Sequence, residues 1–420
     1  MKITPARLAA YEILLKIERE KAFSSILLPV YEARLEAKDR ALCHELVLGT
    51  LRRQIYLDRL IEELTGGKKL DREVRVILRL GAYQLLALDR VPAHAAINEA
   101  VNLAQKAKKT SAKALVNAVL RRVSRGAPAI ESAGETARIA LETSHPEWLI
   151  ERWRREFGAA DAENLARANN ENAPAAYRYT AKTTEAIVKS LDGQNAEAEK
   201  SYLRELAANG KIYFQDEASQ TVARAVRLRP GESFLDVCAA PGSKTTYIAA
   251  LGSDESNRLF AGDLHDARVR VLAENCRLQG VRDVRFAQYD AAAALPFADE
   301  SVDAVLVDAP CSGTGTIRHN PEIRYFLAEN DFAPLQTKQL AILANASKLI
   351  KPGGRLIYST CSLEREENER VAALFAARHA EFELQRPEVP ERFLTGEGYA
   401  RTLPHRDRMD GFFIAVFEKR

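Results

Sequence analysis

The chain has 420 residues, a length that suggests two to four domains. Hydrophobic residues make up 46% and charged residues 28%, which is ordinary for globular proteins and excludes a disordered chain or a collagen-like fibre. No apolar run approaches the roughly 20 residues of a membrane-spanning helix. The N-terminal segment carries charges every few residues, unlike a signal peptide, so we expect a cytoplasmic protein.

The five cysteines do not form the patterns of a disulfide framework or a metal site. Their number is odd and the chain is large, which argues against disulfides. No Cys-x-x-Cys pair and no His-Glu-x-x-His motif occurs, so no metal ligands are predicted. Cys43 and Cys276 fall in predicted helices, and we assign them to packing.

Basic residues are concentrated in the first third of the chain. Residues 1–125 contain 24 Lys and Arg against 14 Asp and Glu, a net charge of +10, whereas the whole chain carries +3. Gln105–Arg125 contains seven basic residues and no acidic one. Such a cluster can follow a phosphate backbone or can be the solvated face of a helix, and charge alone leaves both interpretations open.

Residues 1–125 are also predicted to be all-helical. Thr4-Pro5, Asp71 and Pro92 are helix-start signals, and Gly66-Gly67 ends a helix. Apolar residues recur between these signals at i, i+3, i+4 and i+7, the pattern of buried helix faces. We therefore expect a domain of five to seven helices.

Two different segments follow this domain. Residues 126–143 are small, polar and weakly periodic, and we interpret them as a linker. Residues 144–230 have a mixed pattern, with a strand at Tyr177–Thr180 and helices near Glu185–Leu191 and at Asp216–Val226. They are predicted to be a small α+β region.

Residues 231–420 alternate strands and helices. Buried strands separated by helices predict an α/β Rossmann-like domain with a doubly wound, mostly parallel sheet in strand order 3-2-1-4-5. The predicted strands are Phe234–Val237, Leu259–Asp263, Val284–Asp290, Asp303–Asp308 and Arg355–Ser359.

The first three strand ends predict a nucleoside-type ligand. Cys238–Lys244 follows the first strand and is rich in small residues, so its backbone can approach a ligand, but it is neither a P-loop nor a G-x-G-x-x-G loop. Asp263 ends the second strand 21 residues after Gly242, a separation along the sequence at which an acidic residue can bind a ribose diol. Asp290 ends the third strand, within reach of an adenine amino group. Together they indicate a ribosyl-adenine ligand.

Two cysteines follow the fourth and fifth strands. Cys311 comes shortly after Asp308, and Cys361 follows Ser359-Thr360. In the expected strand order these strands are neighbours, so both cysteines would lie at the rim of one cleft. A thiolate in that position could be a nucleophile, whereas a single strand cysteine is more often a small buried side chain.

These segments resemble the signatures of the RNA cytosine-5 methyltransferases of the Nol/Nop/Sun group. The resemblance is carried by DVCAAPGSKT, DAPCSGTGTIRHNPE, YSTCSLEREENE and the upstream FQDEASQ. The first third is similar to NusB-type helical RNA-binding domains in KDRALCHELVLGTLRR, LRLGAYQLL and AINEAVNLAQ. This layout, with a small α+β region between the two, resembles that of one branch of the group.

The resemblance implies the cofactor, the substrate and the roles of the site residues. The cofactor would be S-adenosyl-L-methionine, and the target a cytosine in a single-stranded loop of small-subunit (16S) ribosomal RNA, typically position 967. Cys361 would attack the base, Cys311 would assist release, and Asp308 would hydrogen-bond the cytosine. The cofactor would be bound by Cys238, Ala239, Ala240, Pro241, Gly242, Ser243, Lys244, Asp263, Asp290 and Asp308.

One residue departs from the family pattern. Ser243 stands where the family usually has a second glycine, and serine adopts a positive φ less readily than glycine does.

Two alternatives remain at the level of sequence. One is the same chemistry on another ribosomal cytosine or on transfer RNA, and the other is a non-catalytic RNA-binding assembly factor. We expect a monomer, and the sequence names no protein partner.

Overall fold

The computed structural model describes residues 3–185, 187, 196–252, 254 and 256–420. It divides into two compact units. One contains the residues up to Asn172 together with Ile317–Glu329, and the other contains Ala173–Thr316 and Asn330–Arg420. The chain therefore leaves the second unit at Ile317–Glu329 and contributes that segment to the first.

The first unit is helical throughout its described residues. Its helices up to Asn172 are α1 (Pro5–Glu20), α2 (Ser24–Glu32), α3 (Ala37–Arg52), α4 (Gln54–Thr65), α5 (Arg72–Ala87), α6 (Ala93–Lys106), α7 (Lys113–Arg125), α8 (Glu135–Thr143), α9 (Glu147–Phe157) and α10 (Ala159–Ala168).

The second unit combines helices with two sheets. Its helices are α11 (Ala196–Ala208), α12 (Glu217–Ala225), α13 (Ser243–Leu251) and α14 (Asp266–Gln279), then, after the short α15 (Ile323–Phe326) of the first unit, α16 (Phe332–Lys348), α17 (Glu369–Arg378) and α18 (Pro404–Asp407). Its strands are β1 (Tyr177–Tyr179), β2 (Ile212–Phe214), β3 (Ser233–Asp236), β4 (Arg258–Asp263), β5 (Val284–Gln288), β6 (Val302–Asp308), β7 (Ile350–Thr360), β8 (Phe382–Gln385), β9 (Ala400–Arg401) and β10 (Phe413–Lys419).

The apolar stripes of residues 4–125 pack into one core, as their period predicts. Helices α5 and α7 approach closely at Gly81, where an added Cβ would lie 2.6 Å from Leu120 Cδ1. The glycine therefore has a packing reason to stand within the apolar stripe of α5. The prediction of an all-α first domain is confirmed.

The predicted linker differs from the structure in its second half. Glu135–Thr143 forms α8, which buries Ile139, Ala140 and Thr143. Its apolar positions are few, because a nine-residue helix needs only a short stripe to pack against α9. The sequence pattern was too weak to separate this short helix from a loop.

The large sheet has the predicted order with an addition at one edge. The order is β5-β4-β3-β6-β7-β10-β8, and the first five strands are parallel. In order along the chain these five correspond to the expected 3-2-1-4-5. The doubly wound Rossmann-like sheet is therefore confirmed.

The strands β8, β9 and β10 are the part of this sheet that the sequence analysis did not find. Strand β10 pairs antiparallel with β7, β8 and β9. Its residues Phe413–Phe417 are all buried, because β10 lies inside the sheet rather than at its edge. A continuous apolar run without an alternating pattern gives no sign of strand direction.

Within the second unit, β1 and β2 form a two-stranded antiparallel sheet. This confirms the strand predicted at Tyr177–Thr180. The helix predicted near Glu185–Leu191 lies largely outside the described residues. In the part of the chain that the structure describes, no helix is long and apolar enough to cross a membrane.

Candidate active site

The predicted site residues lie at or just past the carboxyl ends of five adjacent parallel strands. β5, β4, β3, β6 and β7 are neighbours in that order, and each ends at or shortly before a segment singled out from the sequence. In a doubly wound sheet this edge is where ligands bind. All of these site residues belong to the second unit.

The loop Cys238–Lys244 is held by backbone hydrogen bonds. Ala239 N donates to Gly262 O at 2.8 Å, and Gly242 N donates to Ala239 O at 2.7 Å. Gly242 has a φ of 101°, the left-handed region in which glycine is favoured, and an added Cβ would lie 2.8 Å from Leu272 Cδ1. Gly242 is therefore the conformationally required residue of the loop.

Ser243 does not need the positive φ that the family comparison suggested. It is the first residue of α13 and has helical geometry, while Gly242 before it provides the turn. The exchange of glycine for serine at this position is therefore compatible with the loop.

Asp263 and Asp290 differ in their surroundings. Asp263 is buried, and its carboxylate accepts from Ala240 N at 3.2 Å and pairs with Arg268 at 3.0 Å. Asp290 lies two residues beyond β5, is exposed, and accepts from Ala292 N at 3.0 Å. Asp263 thus contacts the Cys238–Lys244 loop directly, whereas the Asp290 side chain closes the turn after β5.

Asp308 is part of a charged cluster at the end of β6. Lys244 Nζ donates to Asp308 Oδ2 at 2.6 Å, and Ser359 Oγ donates to Asp308 Oδ1 at 2.7 Å. Burial lowers the pKa of Lys244, but the charge of Asp308 and the hydrogen bond to it outweigh burial and raise the pKa overall. The ammonium also lies 5.0 Å from the centre of the Phe412 ring. Lys244 therefore remains charged beside Asp308.

The two cysteines are in direct contact. Cys311 Sγ and Cys361 Sγ lie 3.3 Å apart, although 50 positions separate them in the sequence. The hydrogen bond to Cys361, together with burial, raises the pKa of the Cys311 thiol well above its ordinary value. Both effects favour the neutral thiol form of Cys311.

Three contacts of this site were not found from the sequence. The loop lysine was assigned to the cofactor, but it also pairs with Asp308. Arg178 of β1 donates to Ser243 O at 3.0 Å and to Thr246 Oγ1 at 2.7 Å, so the small sheet supports the end of the Cys238–Lys244 loop and the start of α13. Phe412 lies between β9 and β10. No local motif could have revealed these, because each partner is distant in sequence.

Family models match three parts of the chain. Residues 4–125 match the NusB family, residues 145–208 a ferredoxin-like domain of RsmF/B-like methyltransferases, and residues 223–418 the 16S rRNA methyltransferases RsmB/F. The chain is 34% identical to a probable ribosomal RNA small subunit methyltransferase B of Bacillus subtilis, with 100% of each chain covered. The chain belongs to the RsmB/F family.

Solved structures agree with this membership. The crystal structure of PH0851 covers 100% of both chains with a TM-score of 0.83 and 26% identity. NSun6 from Pyrococcus horikoshii, solved with SFG, covers 65% of this chain and 98% of its own, with a TM-score of 0.56 and 21% identity, a likeness of fold. The predicted identity as an S-adenosylmethionine-dependent RNA methyltransferase with a NusB domain is confirmed.

The residues present suit the cofactor of the RsmB/F family. Asp263 offers carboxylate oxygens to ribose hydroxyls, and Ala239 and Ala240 present only methyl groups beside them. One carboxylate oxygen of the nearby Asp236, Oδ1, is buried without a hydrogen-bond partner among the described residues. The acceptor chemistry of these residues therefore fits a ribosyl-adenine ligand.

Proposed function

We propose that this RsmB/F family member methylates carbon 5 of a cytosine in small-subunit ribosomal RNA, typically position 967, through a covalent adduct with Cys361. The observation that carries the proposal is the 3.3 Å contact of Cys311 and Cys361 beside Asp308. A single thiol could be a packing residue, whereas two thiols in contact at adjacent strand ends match a reaction with separate attack and release steps.

In this proposal the cofactor lies against the loop after β3. The peptide backbone of Cys238–Lys244 would line the cofactor, Asp263 would accept hydrogen bonds from its ribose hydroxyls, and Asp290 would face its adenine. S-adenosylmethionine supplies an electrophilic methyl group. Asp308 borders both ligands, and its pairing with Lys244 fixes the carboxylate in one orientation.

The attack step uses Cys361 and Asp308. Carbon 5 of cytosine is a weak nucleophile, and addition of the Cys361 thiolate to carbon 6 makes carbon 5 enamine-like, so that it can take the methyl group. Asp308 accepts a hydrogen bond from the 4-amino group of the cytosine and so orients the base beside Cys361. The Lys244 ammonium adds positive charge close to these groups.

The release step uses Cys311. The carbon 5 proton passes to solvent water, its bonding electrons form the double bond between carbons 5 and 6, and the bond between carbon 6 and Cys361 Sγ breaks with its electrons leaving on sulfur. The Cys311 S–H, whose pKa is raised by its hydrogen bond to Cys361, can donate to the departing thiolate. The contact between the two sulfurs is symmetric, so the assignment of attack to Cys361 and release to Cys311 rests on the family resemblance.

We further propose that residues 1–125 supply most of the RNA affinity. The exposed basic residues of Gln105–Arg125 lie at the ends of α6 and α7, namely Lys106, Lys108, Arg121, Arg122 and Arg125. Clusters of this kind bind phosphates in a salt-dependent manner. The target base must leave its stack to reach the cysteines, which favours a single-stranded loop or bulge.

Bisulfite sequencing of ribosomal RNA tests the site of methylation. RNA from cells with the gene should retain one cytosine that is converted in cells without it. A retained cytosine in transfer RNA or in another ribosomal position would support the alternative substrates. Unchanged conversion everywhere, together with no transfer from labelled cofactor, would favour the assembly factor.

A denaturing gel with substrate RNA tests the covalent mechanism. Cys361→Ala should abolish turnover and any protein–RNA adduct, because the nucleophile is lost. Cys311→Ala should still attack and transfer methyl but release slowly, so an adduct should accumulate. An adduct from Cys361→Ala alone would reverse the two roles, and adducts from neither would exclude the covalent mechanism.

A further inference from the structure

The mechanism above leaves one fully buried carboxylate of the second unit unexplained. Glu367 lies in the turn before α17 and has no exposed surface. Its Oε1 accepts from Ser312 N at 2.9 Å and from Gln339 Nε2 at 3.0 Å. Its Oε2 accepts from the hydroxyls of Ser312 and Ser362, the latter at 2.5 Å.

The two serines directly follow the two cysteines. Ser312 comes after Cys311, and Ser362 comes after Cys361. Their hydroxyl oxygens lie 3.0 Å apart, close to the 3.3 Å between the two sulfurs. Glu367 is thus a common hydrogen-bond acceptor for two loops that come from different strands.

Neighbouring groups hold the same two loops. Gln339, which donates to Glu367, also donates to Pro310 O at 3.1 Å, just before Cys311. Asn368 accepts from Thr360 Oγ1 at 2.5 Å and donates to Ser362 O at 2.8 Å, on either side of Cys361. The residues flanking both cysteines are therefore tied to one turn.

The unfavourable burial of the Glu367 carboxylate is compensated mainly by hydrogen-bond donors next to the two cysteines. A buried carboxylate must be satisfied by several donors, because its transfer from water is strongly unfavourable. The four donors described above are neutral groups, and three of them belong to the serines beside the cysteines. The charge of Glu367 also adds to the hydrogen bond and burial that raise the pKa of Cys311.

We propose that Glu367 is a positioning residue that sets the separation of the Cys311 and Cys361 sulfurs by accepting hydrogen bonds from the serine after each. The proposal rests on the proposed covalent function for its catalytic consequence. The contact between the sulfurs is a property of the free protein and can be measured without RNA.

The test compares Glu367→Gln with Glu232→Gln in the full chain. The glutamine in place of Glu367 keeps the size of the side chain but replaces an acceptor with an NH₂ group that faces the serine donors. Glu232 is a partly buried carboxylate of the same unit that pairs with Arg355 at 2.6 Å. Its substitution therefore controls for the general loss of a negative charge from the interior of the unit.

The probe is a monosubstituted trivalent arsenical, phenylarsine oxide. It bridges two nearby thiols with two As–S bonds and releases one water, so its capture rate reports the separation of the sulfurs. Capture by Cys361→Ala gives the background from the other cysteines. Glu367→Gln should slow the specific capture and kcat by about tenfold or more, since a displacement near 1 Å can cost about a hundredfold. Cofactor affinity, measured by calorimetry, should remain unchanged.

Ser312→Ala provides a second variant that removes one serine hydroxyl from Glu367 but keeps the hydrogen bond from the backbone N of residue 312, and it perturbs the fold less. It should give a smaller slowing in the same direction. Unchanged capture by Glu367→Gln, an equal loss in Glu232→Gln, or a loss of kcat without a loss of capture would each overturn the proposal. Absence of cytosine methylation by the wild-type protein would instead refute the proposed function, and the capture assay would still decide the role of Glu367.

Discussion

Asp236 and Asp263 end neighbouring strands but have different environments. Asp236 is buried and hydrogen-bonded to Thr245 Oγ1 at 2.7 Å, and its other oxygen has no partner among the described residues. Asp263 is paired with Arg268 and with a backbone amide. Burial therefore disfavours the charged form of Asp236. The Asp263 carboxylate, in contrast, has a charged partner and a backbone partner.

Asp263→Ala should weaken cofactor binding by about 1–3 kcal/mol, roughly 5- to 150-fold, because the ribose hydroxyls would lose their acceptor. Calorimetry on the full chain measures this directly. Asp266→Ala is the control, since Asp266 is an exposed carboxylate of the same region that pairs with Arg270. Equal affinities of the Asp263 variant and the wild type would remove Asp263 from the cofactor site.

Asp236 predicts a pH dependence of stability. Burial raises the pKa of Asp236 from 3.8, the ordinary value of an aspartate, to about 7. Between these values the unfolded chain releases this proton and the folded chain keeps it, so the group's contribution to stability falls as the pH rises. Asp236→Asn removes the titration. The variant should therefore gain stability relative to wild type between about pH 4 and 7, and the difference should level off above that range.

Urea denaturation followed by circular dichroism measures this difference in the absence of cofactor. Asp303→Asn is a control of opposite sign, because hydrogen bonds from Lys351 and Ser233 outweigh burial and lower the pKa of Asp303 to about 2. The contribution of Asp303 is lost only as the pH falls below about 4. A pH-dependent difference for Asp303→Asn between pH 5 and 8, or none for Asp236→Asn, would contradict the assignment.

At this scale the sequence identified residues that lie at strand ends but not their partners. Asp263, Asp308, Cys311 and Cys361 follow recognisable motifs, and strand-end position alone predicted that they share a cleft. The acceptor role of Glu367 depends on two serines that meet only in the folded sheet. Contacts of this kind are set by tertiary packing, which no local spacing encodes.

At the scale of elements, α7 has two faces with separate roles. Val116, Val119, Leu120 and Val123 are buried in the core of the first unit. The exposed face ends in arginines, which also interact favourably with the negative end of the helix dipole, worth about 0.3–1 kcal/mol. A structural role for these arginines is therefore real but small, and RNA binding can be tested apart from it.

Replacement of Arg121, Arg122 and Arg125 by Gln should weaken ribosomal RNA binding about 10- to 100-fold near 100 mM salt and lower the slope of log K against log salt by roughly 2. Each lost phosphate contact removes counterion release. Filter binding over a salt series gives both numbers.

The matched control removes the same total charge elsewhere in the chain. Arg277, Arg386 and Arg420 each pair with a glutamate. Their replacement by Gln should leave the salt slope nearly unchanged. If the two triple variants lose affinity equally, overall charge rather than α7 accounts for binding, and the first domain would have another role.

At the scale of the whole molecule, the methyltransferase sequence contributes a segment to the helical unit. Ile317–Glu329 lies within the span that matches the methyltransferase model, but its contacts are with the first unit. Fully buried Glu322 accepts from Ser24 N at 2.5 Å, and Tyr325 Oη donates to Leu51 O at 2.5 Å. A linear division at the linker, as predicted from composition, therefore cannot separate these two parts cleanly.

Limited proteolysis tests this interdependence. Arg318 and Arg324 of the segment are buried, and Arg324 Nη1 donates to Thr143 O and Asn170 Oδ1, both at 3.0 Å. In the full chain, trypsin should cut slowly after either arginine. A fragment that begins at Ser144 lacks Ser24, Leu51 and Thr143, so the segment loses these three partners, although it keeps Asn170, and should be cut more rapidly than in the full chain. Cleavage after the exposed Arg282 should be similar in both proteins and serves as the control. If Arg318 and Arg324 are protected equally in the fragment, the segment is stable without the first helices, and the two parts are energetically independent.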